Sequence, residues 1–137
     1  MEYTEGIPAP VLFRKWAAVS AVAGALERRV FVQTAGGTLY PNMFILLIAP
    51  PGVGKDQVIN PVRELWAAAG KFNIAPISMT GKGLLDQLAD STSHKQIVNP
   101  ITQKYENYHS LLIAVPELGV ILPAHDLGFL SIFNELF

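Results

Sequence analysis

Gly52, Gly54 and Lys55 stand together just after an apolar run, in the stretch Met43-Phe-Ile-Leu-Leu-Ile-Ala-Pro-Pro-Gly-Val-Gly-Lys-Asp56. Residue types in this order suit a phosphate cradle. Backbone N–H groups of Gly52, Val53 and Gly54 can converge on an anion where no Cβ blocks the approach, and a following helix adds its positive dipole end. Lys55 then supplies a mobile cation for the outer phosphates of a nucleoside triphosphate. The cofactor-binding candidates are therefore Pro51, Gly52, Val53, Gly54, Lys55, Asp56 and Gln57, with ATP and magnesium as the expected ligands.

Against the pattern Gly-x-x-x-x-Gly-Lys-Ser/Thr, Ala49 replaces the first glycine and Asp56 the hydroxyl residue. A hydroxyl reaches magnesium as a neutral oxygen. The Asp56 carboxylate is also a hard oxygen ligand, but it carries negative charge toward the phosphates. Asp56 is thus the expected magnesium contact, acting through the bound nucleotide. Downstream, Ser110-Leu-Leu-Ile-Ala-Val-Pro-Glu-Leu-Gly119 is a second apolar run, and it places Glu117 at its carboxyl end. In open parallel sheets ligands sit outside the carboxyl ends of the strands. Glu117 is accordingly the candidate to polarise an attacking water, with Lys55 as the other catalytic candidate.

These segments resemble the P-loop ATPase domains of phages and prophages, RecA-like in core and often primase-helicase-associated. The resemblance covers most of the chain. It takes in the Ala-rich stretch Val11 to Arg28, Arg29-Val-Phe-Val-Gln, Leu39-Tyr-Pro-Asn-Met43, Pro51-Gly-Val-Gly-Lys55, Ser78-Met-Thr-Gly-Lys-Gly-Leu-Leu85 and Pro116-Glu-Leu-Gly-Val-Ile-Leu122. Ala-Pro-Pro-Gly-Val-Gly-Lys also looks like the AAA+ form of the loop. The resemblance implies an ATP-hydrolysing module of a DNA replication protein, helicase-like and working between subunits of a homo-oligomeric ring. Where the family has an aspartate before the glutamate, this chain has Pro116. Asp56 would then supply the missing carboxylate. Two alternatives are a nucleotide-binding regulatory or structural module without turnover, and an AAA+ ATPase of another role.

Positioning these groups takes alternating strands and helices. The pattern predicts a helix from Val11 to Arg28, a hairpin from Val30 to Tyr40 turning at Ala35-Gly36-Gly37, and a buried strand from Met43 to Ala49. A helix from Asp56 to Ala69 follows, then a strand from Ile74 to Met79 and a Thr80-capped helix from Gly83 to Ala89. A polar insertion, Ser91 to His109, precedes a strand at Leu111 to Val115 and a last helix. The expected fold class is α/β: a P-loop NTPase with a parallel sheet flanked by helices, carrying an N-terminal helix and short hairpin. Residues 1–42 are expected to pack on the core and residues 43–137 to form the N-terminal part of the ATPase domain. The apolar pattern from Asp126 to Phe137 stops without a cap or polar tail, so the domain is expected to be incomplete at the C-terminus.

Composition narrows the field. Half of the 137 residues are apolar and only 15% are charged, which argues against disorder. A formal net charge of −1 gives no electrostatic footprint for nucleic acid, so DNA contacts are expected beyond residue 137. Within the chain, only the polar insertion offers Lys95, Lys104, Tyr105 and Tyr108 for stacking; its plainer reading is a solvated loop or short hairpin. The chain has no cysteine, and its three histidines, His94, His109 and His125, show no metal-ligand spacing. No apolar run approaches a membrane span. Arg14-Lys15 followed by Trp16 to Leu26 imitates a signal peptide, but Glu2 and Glu5 precede it, and a cytoplasmic location is expected.

Overall fold

The computed structural model describes residues 5–90, 94–99, 101–121 and 127–135. The chain forms two compact units, Met1–Phe72 and Asn73–Phe137.

The first unit is built on two helices. α1, Val11–Leu26, is apolar nearly all round, and α2, Lys55–Ala69, carries one apolar stripe. Val58, Val62 and Trp66 recur every fourth residue along α2, which puts them on one face; all three are buried, and α2 packs on α1. The indole Nε1 of Trp66 donates to the Ala21 carbonyl at 3.1 Å, so the deepest aromatic of this unit also has its polar atom satisfied. α1 stops two residues before the expected Arg28, because Glu27 turns to φ 49°. Its carboxylate is buried and sits 3.4 Å from the Arg29 guanidinium. α2 ends where Gly70 adopts φ 63° and returns its N–H to the Ala67 carbonyl at 3.0 Å.

Between the helices lies the expected hairpin, β1 (Val32–Thr34) paired antiparallel with β2 (Gly37–Leu39). The run from Met43 to Ala49 then departs from expectation. It forms no regular element, and its burial alternates: Ile45, Leu47 and Ala49 are half-covered, whereas Phe44, Leu46 and Ile48 are exposed. Ile48 is 79% exposed. No strand pairs with this run among the described residues.

In the second unit, α3 (Gly81–Ala89) begins at Thr80, whose hydroxyl accepts from the Gly83 N–H at 3.1 Å. β3 (His94–Val98) and β4 (Tyr105–His109) form an antiparallel hairpin, and α4 spans Leu127–Glu135. Leu84, Ile121 and Phe129 make the core, with Met79, Leu88, Leu111, Ile113 and Val115 packed around it. Gly81 lies so close to Phe129 that a Cβ there would meet the ring at 2.7 Å.

Among the described residues the expected parallel sheet is not formed, so this is not a P-loop NTPase fold. Both sheets are two-stranded and antiparallel. The expected strands Ile74 to Met79 and Leu111 to Val115 are reduced to one parallel rung, Ile74 with Leu112, in which Ala75 N–H donates to the Leu112 carbonyl at 2.9 Å and Leu112 N–H to Asn73 at 2.8 Å. The reason is physical. Antiparallel hairpins close through a few residues, whereas a parallel ladder needs a crossover and a partner distant in sequence. An apolar run specifies an extended, water-avoiding segment but not the neighbour that would complete its ladder. Among the described residues, no helix is long and apolar enough to cross a membrane.

Candidate functional site

The glycine-lysine turn lies wholly in the first unit, between the apolar run and α2. Gly52 has φ 82° and Gly54 has φ 77°, ψ 30°, both in the left-handed region that a Cβ disfavours. Pro50-Pro51 limits the chain on the entry side, and the helix begins at Lys55 on the exit side. Within the described residues, the backbone N–H groups of Gly52, Val53 and Gly54 have no protein acceptor. Lys55 is half-buried, and its Nζ donates to the Ala49 carbonyl at 2.7 Å. That bond closes residues 49–55 into a ring.

Gly54 answers to a second constraint. A Cβ there would lie 2.9 Å from the Pro8 carbonyl oxygen and 3.5 Å from both Ala9 Cβ and Gln57 Oε1. At Gly52 it would meet nothing within 4 Å. Gly52→Ala should therefore cost only the backbone strain, about 1–2 kcal/mol. Gly54→Ala should cost that plus the displacement of the Pro8 segment, and unfold at measurably lower denaturant. Thermal or urea unfolding of the two variants checks this, and equal losses would mean that Pro8 does not pack on the turn.

Asp56 is exposed in the first turn of α2 and Gln57 follows it, so both stand at the mouth of the turn. Asp56 is the acidic residue of that first turn, where the helix dipole favours a carboxylate. Among the described residues there is no cluster of three or more His, Asp or Glu that could hold a metal ion by itself. A magnesium ion here would need the phosphates of a nucleotide as its main ligands.

Glu117 stands in the second unit, exposed, at the head of a 3₁₀ turn over Leu118–Val120. Lys55 belongs to the first unit, and among the described residues no parallel sheet supplies the rim expected to carry both. The hairpin residues expected to stack on bases also separate. Tyr105 is 77% exposed while Tyr108 is 6% exposed, and three positions along a strand put them on opposite faces. Conversely, the register sets His94 directly opposite His109, a pairing that their separation in sequence conceals. An open apolar trough of about 410 Å³ runs along α1, lined by Ala18, Val19, Val22, Ala23, Leu26 and Pro41; it offers no charged group to orient a phosphate.

Compared with protein-family models, with curated proteins and with solved structures, the chain matches none of them.

Proposed function

We propose that the chain binds the phosphates of ATP at the turn from Pro51 to Gln57. The observation that carries this reading is the geometry of the turn: two left-handed glycines, three N–H groups without an acceptor among the described residues, a helix N-terminus and the Lys55 ammonium, all within seven residues. Each of these favours a multiply charged anion, and together they favour one with several oxygens in a row. On binding, the Lys55 Nζ exchanges the Ala49 carbonyl for a phosphate oxygen, trading a neutral acceptor for a charged one. Among the described residues no parallel sheet forms a strand rim to carry a hydrolytic carboxylate, so phosphate binding is the activity the turn supports.

Asp56 sets the metal dependence of this site. Next to a triphosphate its charge repels the free nucleotide, and magnesium bridging the carboxylate and the phosphates reverses the sign. Calorimetric titration of the chain with ATP, with adenosine and with magnesium-ATP tests both parts. ATP should bind saturably, adenosine should not, and magnesium should tighten the complex. Asp56→Asn should bind metal-free ATP as well as or better than the parent and lose most of the gain from magnesium. Equal binding of adenosine and ATP would sink the phosphate reading, and an unchanged magnesium response in Asp56→Asn would remove Asp56 from it.

A further inference from the structure

We infer that the uncovered apolar face of the first unit is an interface on which two copies of this chain pair about a two-fold axis. The inference starts from α1, which is apolar on two sides. Ala17 is buried and the Ala21 carbonyl takes the Trp66 indole N–H, which assigns their side of the helix to α2. At about 100° per residue, Leu12, Trp16, Val19 and Val22 fall in one stripe on the opposite side. They are between 41% and 61% exposed. Lys15, near the start of the helix, is the only charge that this spacing places on the stripe.

The face continues beyond the helix. Trp16 shares a shallow cavity of about 210 Å³ with residues 44–47, and Leu46 and Ile48 of the same apolar run are exposed. In the other direction lies the trough of α1, where the small side chains of Ala18 and Ala23 make the hollow and Val19, Val22 and Leu26 the ridges. A large apolar side chain this exposed leaves on the order of 100 Å² uncovered, so Leu12, Trp16, Val19, Val22, Leu46 and Ile48 together present roughly 600 Å². That is already the top of the range for the largest apolar patch on a typical monomer, about 300–600 Å².

Area and charge point to a second copy as the occupant. A two-fold axis uses one patch twice, so roughly 600 Å² on each chain becomes about 1,200 Å² in total, where stable interfaces begin. Charge selects among foreign partners, and this face has almost none to select with. Interfaces between identical subunits are also the more apolar class. The shape suits the same occupant, because the valine ridge of one α1 can enter the trough beside the ridge of the other. With the axis near Val22, Lys15 lies about 10 Å away along the helix, at the rim, where its stem covers apolar surface and its ammonium stays in water.

The test is the mass of the chain in solution, measured by light scattering during size-exclusion chromatography over a hundredfold range of concentration. A reversible dimer and nothing larger is expected. Val22→Glu and Leu46→Glu each bring an unpaired charge into the contact from an exposed position, so each should raise the dissociation constant at least tenfold with the far-ultraviolet circular dichroism unchanged. Tyr105→Glu, at an exposed position of the second unit, should leave the dimer intact. A monomer at every concentration, an open series of larger species, a dimer that survives Val22→Glu and Leu46→Glu together, or one that is lost in Tyr105→Glu would each overturn the inference.

Discussion

Lys55→Ala should bind ATP about tenfold to a hundredfold more weakly than the parent chain. The ammonium is the one side-chain cation at the turn, half-buried at the first position of α2 with its Nζ 2.7 Å from the Ala49 carbonyl. A charge-assisted bond to phosphate is worth roughly 1.5–3 kcal/mol, which converts to that range in affinity. Its structural role is smaller. Losing the bond to a neutral carbonyl costs about 1 kcal/mol and loosens the ring without removing the glycines that shape it. Lys55→Arg separates the two contributions, because it keeps the charge and changes the reach and donor geometry. It should recover part of the affinity. Calorimetry with ATP on the three proteins measures this, and an affinity in Lys55→Ala equal to that of the parent would remove the phosphate reading of the turn.

Trp66→Ala should destabilise the first unit by about 3–5 kcal/mol, the usual cost of emptying a buried large aromatic site. Trp66 is 5% exposed, is the last residue of the Val58, Val62, Trp66 stripe, and is tied to α1 through the Ala21 carbonyl. Few other side chains of this unit are deeply buried. Leu12, Trp16, Val19 and Val22 on α1 all lie more than a third exposed, so the α1–α2 contact has little to replace the indole. Marginal stability of 5–15 kcal/mol for a typical domain makes such a loss a large fraction of the whole. Trp66→Phe keeps most of the apolar area and gives up the hydrogen bond, and should lose about 1 kcal/mol beyond its volume change. Urea unfolding followed by far-ultraviolet circular dichroism reads both. A loss under about 1 kcal/mol in Trp66→Ala would mean that the helix pair is not what holds this unit.

Local chemistry was legible residue by residue. Apolar spacing placed α1 and α2 to within about two residues, Thr80 marked the start of α3, and Ala35-Gly36-Gly37 turned the first hairpin. The glycines at 52 and 54 marked a turn without Cβ atoms, and both prove to have positive φ. Each of these depends on residues a few positions apart, which is the range over which propensity, capping and turn chemistry act. The polar insertion was open between loop and hairpin in the sequence, and the register of Asn99 against Lys104 settled it.

The sequence by itself determined where the chain is helical, where it turns, and that a glycine-lysine turn precedes a helix ending at Ala69. Only the tertiary structure decided which extended segments pair. Met43 to Ala49 has the composition of a strand buried on both faces, yet Phe44, Leu46 and Ile48 remain exposed because burial on both faces needs two distant neighbours that composition cannot name. Ile74 and Leu112 do meet, but for a single rung. The same non-local pairing that withheld the parallel sheet put His94 opposite His109, since cross-strand position is set by ladder register and turn geometry rather than by separation along the chain.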